Sequence, residues 1–174
     1  MPFTPRLYSK SRRAIVGNYL DLVKERNADA LAAIDNSLTP IATENVRRSA
    51  GGLLSPTFPM FLVTRVRTEI KENEDGALLE VRHFLQAMLK LVGPGTTAEA
   101  AEELEIVADK YLEAMDALTR SLKRQELLAG LTNCGNLYWD VTDHDNDTTR
   151  RPKGEVTTFV QLPTFNVEFH LVEG

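Results

Sequence analysis

The sequence predicts an α+β fold: a mainly antiparallel sheet of about four strands, with a long helix packed on one face and an extra N-terminal helical region. Three observations predict it. The stretch TTAEAAEELEIVADKYLEAMDALTRSL puts Leu104, Val107, Tyr111, Met115, Leu118 and Leu122 on one helical stripe. The runs MFLVTRVRTEIKE and TFNVEFHLVE alternate apolar with polar residues and are rich in β-branched and aromatic side chains. Turn signals, NEDG before Ala77 and GPG after Val92, bracket a further apolar run.

Residues 1–10 carry two prolines and no period. They read as an extended N-terminal arm ahead of a single domain over 11–174. From Ser11, the pairs Ile15/Val16, Tyr19/Leu20 and Leu22/Val23 recur at helical spacing. ERNADALAAIDN then reads as a break or restart of that helix, with Asn27 or Asp29 as N-cap. Leu31 and Ile34 continue the face, and Pro40 ends the region. Gly51, Gly52, Pro56 and Pro59 then punctuate a loop holding at most a short helical turn.

A strand follows at Met60–Glu72. The next run, ALLEVRHFLQAMLKLV, fits two templates. As a helix it stripes Leu78, Val81, Leu85, Met88, Leu89 and Val92; as a strand it aligns Leu79, Val81, His83, Leu85, Ala87, Leu89 and Leu91. The hairpin signal before it and the GPG stop after it favour the strand. Thr96 with Glu99 fits a capping box opening the long helix. Acidic residues crowd that helix's first half, and Arg120, Lys123 and Arg124 sit near its end, both as the helix dipole prefers. LYWDV predicts a short strand, 142–154 a polar loop, and Phe165, Val167, Phe169 and Leu171 a closing strand. Pro163 marks a bulge, an edge or a break in it.

The chain is 43% hydrophobic and 26% charged, enough for a sizeable core. Its net charge of −5 argues against a general nucleic-acid binder. That charge is unevenly placed. Residues 1–26 hold six basic side chains against two acidic ones, and residues 97–118 hold seven acidic against one basic. Such asymmetry suits head-to-tail packing of copies, although solvated helix faces are its plainer explanation. Cys134 alone can form no internal disulfide, which suits a reducing compartment. It reads as a structural or incidental thiol. With neither a signal peptide nor a membrane span in view, a soluble protein made in the cytosol is expected.

The stretch WDVTDHDNDTTRRPKG raises the question of a metal site. Asp143, Asp145 and Asp147 match the first ligand positions of a calcium loop. The required glycine is instead Thr148 and the closing glutamate is Gly154, which favours a solvated hairpin tip over a weak cation site. His83, His144, His170 and Cys134 are too scattered for a zinc motif. Glu80 and His83 could meet Glu168 and His170 across the sheet for acid–base work, but cross-strand polar pairing is the simpler reading. No phosphate loop, dinucleotide fingerprint or nucleophile elbow occurs, so no catalytic residue, cofactor or metal is assigned. Basic clusters occur at Arg12–Arg13, Arg47–Arg48 and Arg150–Arg151–Lys153, none interleaved with aromatics as base stacking requires.

The order helix, hairpin, long helix, two strands resembles the tail terminator (tail completion) proteins of long-tailed bacteriophages. PTFPMFLVTRVRTEI, GALLEVRHFLQAMLKLVGPGTTAEAAEELEIVADKYLEAMDAL and GEVTTFVQLPTFNVEFHLVE carry the resemblance, which spans residues 11–172. It lies in element order and texture; no single motif carries it. It implies a structural virion protein: a hexameric ring that ends the tail tube, joins it to the head-side connector, and lets DNA pass through its lumen without sequence-specific binding. Expected partners are copies of the chain, the tail tube protein and a neck protein, with no membrane and no catalysis. The virion tail or neck would be its location, after synthesis in the host cytoplasm. Arg12, Arg13, Arg150, Arg151 and Lys153 are its candidate interface contacts. The chain exceeds many terminators in its N-terminal helical region and in the loop before Phe58. Another head–tail connector protein, or a non-viral α+β interaction module, is the alternative.

Overall fold

The ambiguous run after Ala77 resolves as a strand. The computed structural model describes residues 8–48, 58–72, 78–131, 135–146, 149–150 and 158–172. The elements are α1 (Tyr8–Ile34), a 3-10 turn (Thr43–Asn45), β1 (Val46–Arg48), β2 (Met60–Glu72), β3 (Leu78–Pro94), α2 (Ala98–Ser121), α3 (Arg124–Leu127), β4 (Asn136–Asp145), β5 (Thr149–Arg150), β6 (Thr158–Gln161) and β7 (Thr164–Val172). Along β3, Val81, His83, Leu85, Ala87, Leu89 and Leu91 are all buried, the parity of a strand with one face in the core.

The fold is α+β, but its sheet is larger than the expected four strands. The long strands run β2-β3-β7-β4, every neighbour antiparallel. Three short strands add to them: β1 pairs parallel with β2 at Phe61–Val63, and β6 and β5 continue from the far end of β3. Short strands of two to four residues leave no readable alternation, so periodicity could not announce them.

Both helices cover one face. α1 lies towards β1 and α2 towards β4, side by side. Tyr19 joins them at the centre of the core. Its ring meets Phe61 and Phe169 edge-on at 6.4 and 5.5 Å between centroids. Its hydroxyl bonds Thr119 Oγ1 at 2.8 Å, and Thr119 in turn donates to the Met115 carbonyl. Burial raises the Tyr19 pKa, so the phenol stays a neutral donor.

α1 runs unbroken to Ile34, which corrects the expected break at Asn27–Asp29. Asn27 is buried and caps nothing. Its Nδ2 donates to Val23 O and Ile41 O, and its Oδ1 accepts from Ile41 N at 2.8 Å. The side chain thus satisfies the backbone of the segment leaving α1, a tertiary role that local sequence cannot distinguish from capping. α1 also begins at Tyr8, three residues ahead of the expected start; residues 1–7 of the expected arm lie outside the described residues. At the other helix the cap is Thr97, which accepts from Ala100 N at 3.2 Å; Thr96 is not the cap.

The expected loop over 142–154 is corrected as well. β4 continues through Asp143, His144 and Asp145, and β5 follows at Thr149–Arg150, so these described stretches form the outer limb of a long broken hairpin. Residues 147–148 and 151–157, with Arg151 and Lys153, lie outside the described residues. The hairpin bends where Asn146 and Gln161 face each other. Gln161 Nε2 donates to Asn146 O at 2.6 Å and to its Oδ1 at 2.8 Å. Asn146 Nδ2 in turn donates to Glu105 O at 2.9 Å, which ties the bend to α2. Pro163 breaks the inner limb between β6 and β7, and its carbonyl accepts from Leu89 N. Among the described residues no helix is long and apolar enough to cross a membrane.

Candidate functional site

The face of the sheet away from the helices carries a dense polar cluster. Glu80, Arg82, Glu168 and His170 come together there across β3 and β7. His170 Nε2 lies 2.7 Å from Glu80 Oε2, and Arg82 reaches Glu80 at 3.3 Å and Glu168 at 3.6 Å. The His170 hydrogen bond is the chief cause holding the Glu80 carboxyl below its ordinary range. Glu80 Oε1 and Arg82 Nε are ion-paired without well-aligned hydrogen bonds of their own.

Further along the same face, Arg65, Gln86, Asn166 and Asp143 form one register row across β2, β3, β7 and β4. With Arg67, Phe84 and Thr142 they line a shallow groove. Arg67 lies over the Phe84 ring at 4.4 Å, a cation–π contact.

His83 does not join this cluster. Strand parity puts it on the helix side, fully buried. Nε2 lies 3.1 Å from Ser11 Oγ, and Nδ1 lies 3.0 Å from Thr68 Oγ1, which also accepts from Arg12. The order Arg12 to Thr68 to His83 to Ser11 lets each group donate to the next. Burial first, and the Arg12 charge second, lower the His83 pKa to about 4, so the ring is neutral near pH 7. The sequence raised a four-residue cluster of Glu80, His83, Glu168 and His170; the fold assembles three of them and Arg82, and gives His83 a different task.

The candidate contacts separate. Arg12 is half-buried against Thr68, and Arg13 is exposed on α1. Arg150 sits on β5, opposite Val160, which pairs with Val92 of β3. His83 and Val92 are nine positions apart on that strand, so Arg150 on β5 lies roughly 30 Å along it from the His83 end, where Arg12 bonds Thr68, at about 3.3 Å per residue. Among the described residues, no three His, Cys, Asp or Glu side chains gather as a metal site would require.

The two charge blocks become two flanks. α1, β1 and β2 together hold ten basic and five acidic residues; α2 and β4 hold two basic and ten acidic. Arg26 pairs with Glu126, and Lys110 with Asp35 at 2.7 Å, where the flanks meet. Other charges pair within a flank: Lys24 with Asp21 and Arg67 with Glu69 on one, and Arg120 with Asp116 and Asp140 on the other. Linear charge counts found the two blocks, but only strand order shows that β1 and β2 extend the basic flank while β4 extends the acidic one. No protein-family model matches the chain, and no curated protein is similar enough to it to count as a match.

Proposed function

We propose that the chain is a structural virion protein that assembles as a hexameric ring at the end of a bacteriophage tail tube, joining it to the head-side connector. The observation that carries this reading is the polarity of the molecule, with a basic flank on the α1/β1/β2 side and an acidic flank on the α2/β4 side. Opposite charge on opposite flanks favours head-to-tail contact between copies and disfavours two-fold contact, and head-to-tail contacts form a ring when the rotation between copies closes. The element order that prompted the resemblance supports it too: helix, long hairpin, long helix and closing strands all occur in the described chain. The net negative charge suits a lumen through which DNA slides without being held.

The test is the oligomeric mass and shape. Light scattering and negative-stain microscopy should give a ring near six copies that binds purified tail tubes at one end. A chain that stays monomeric at high concentration and ignores tail tubes removes the proposal.

A further inference from the structure

The two long outer strands, β2 and β4, have no strand partner on their outer edges over Arg65–Lys71 and Asn136–Val141 among the described residues. An open edge is a template for another strand unless something blunts it. The β-bulges at Thr64 and Thr142 lie just outside these two segments, and the register of β2 with β3 shifts again only after Lys71, so each segment keeps a regular register throughout. Three large hydrophobic side chains are exposed among the described residues, and two of them lie on these edges: Ile70, 47% exposed, and Tyr138, 58% exposed.

We propose that β4 of one copy pairs antiparallel with Arg65–Lys71 of β2 in a second copy, so that the sheet continues from subunit to subunit. This deepens the ring reading and rests on it, because the occupant of the edge is a second copy. Strand direction allows the junction: three successive antiparallel steps from β2 through β3 and β7 leave β2 and β4 running oppositely.

One register satisfies both faces at once. With Arg67 opposite Asp140, the pair lies on the open face; Asp140 now accepts from Arg120 of α2, reaching over from the helix side, and Arg67 donates to Glu69, so the junction would exchange these partners. The same register sets Val66 opposite Val141 and Ile70 opposite Leu137 on the helix side. Ile70 would then enter the hollow that Leu137 and Trp139 line beneath the end of α2. Sliding the register by one residue would put these apolar groups opposite polar neighbours on the wrong face. Two-fold pairing of β4 with itself would set Asp140 opposite its own copy when centred there, or opposite the copy's Asp143 when centred one or two residues on, and like charges directly opposite destabilise.

Disulfide trapping tests it in the full chain, with Cys134→Ser as background. Lys71 and Asn136, both exposed, stand opposite each other in this register, and opposed Cβ atoms at about 4.5–5.5 Å come close to the spacing a disulfide needs. Under mild oxidation, chains carrying both Lys71→Cys and Asn136→Cys should give a ladder of linked multimers. A mixture of the two single variants should give one linked dimer, and each single variant alone should give none. Asp140→Arg should dissociate the oligomer, and Arg67→Asp in the same chain should restore it. An oligomer that stays intact by light scattering yet yields no ladder overturns the edge pairing and leaves the ring reading standing, and so do dimers from Asn136→Cys alone. A ladder from open-ended assemblies that ignore tail tubes supports the pairing and removes the tail assignment. A strict monomer overturns both.

Discussion

Thr64 and Thr142 are the extra residues of two β-bulges on the two outer long strands, and they bracket the same register row. Each hydroxyl donates inward to the carbonyl of the neighbouring strand: Thr64 to Gln86 at 3.2 Å and Thr142 to Asn166 at 3.3 Å. Gln86 and Asn166 are themselves partners in the row. Bulges bend a strand and increase its twist, so paired bulges crease the sheet along one line and shape the groove on its open face. Thr64→Val and Thr142→Val should each cost about 0.5–1 kcal/mol, the usual net worth of an exposed hydrogen bond. The two sites are three strand spacings apart, roughly 14 Å, so the double variant should be additive in urea unfolding. A coupling well above about 0.5 kcal/mol would mean the crease forms as one unit.

Asn27 should be among the costliest polar positions in the chain. Its amide satisfies both the N–H and the C=O of Ile41 in a buried setting. Asn27→Ala leaves both groups without their partner, at about 1–3 kcal/mol for each buried group left unsatisfied. A loss of roughly 3 kcal/mol in denaturant unfolding is expected. Asn27→Asp should do no better, because the carboxylate cannot donate to the Val23 and Ile41 carbonyls. An Asn27→Ala chain with unchanged stability would show that the α1–β1 connection needs no such tie.

What the sequence disclosed follows from how much of each element is buried on a single face. α2 and β7 carry clean stripes, and β3 keeps its parity even through His83, which a hydrophobic count would mark as an interruption. In the sequence β4 reads as ending at Val141 because Thr142, Asp143, His144 and Asp145 are all exposed, so neither face alternates. Aspartates read as turn residues for the same reason they suit an exposed edge: they are solvated in either place. Of the candidate site, Glu80, Glu168 and His170 could be named in advance. Their link to Arg82, and the use of Ser11, Thr68 and Arg12 to hold His83, required the register and the docking of α1.

His83 should make stability depend on pH. Its folded pKa is lowered to about 4 from the ordinary 6.5, while the unfolded chain titrates near the ordinary value. The unfolded state therefore binds the proton first as pH falls. Stability should be fully present above about pH 6.5, fall progressively to about pH 4, and then level off, losing up to about 3 kcal/mol from this group. His83→Gln should flatten that window while leaving the acid limb below it. The acid limb has its own source in Glu126, held at about 2 chiefly by its hydrogen bond from Arg26, whose contribution is present above the ordinary carboxylate range and fades as pH falls towards 2. Urea midpoints from pH 3 to 8 for the parent chain, His83→Gln and Glu126→Gln would separate the two.

The bend at Asn146 and Gln161 predicts a local opening distinct from global unfolding. Gln161 is buried and donates twice to Asn146, which is anchored in turn to the Glu105 carbonyl on α2. Gln161→Leu preserves much of the side-chain volume and removes both bonds. The cost should be about 1–2 kcal/mol. It should appear first as faster hydrogen exchange at the Thr158–Gln161 amides, with β7 remaining protected, because the outer hairpin can lift while the long strands stay paired. Arg150 lies on this hairpin, so on the ring proposal the contact expected of the basic cluster should depend on the bend. Arg150→Glu with Arg151→Glu should impair tail-tube binding in a chain that remains folded by circular dichroism, and Gln161→Leu should impair it to a smaller degree. Full binding by the charge-reversed chain would remove the hairpin from the interface.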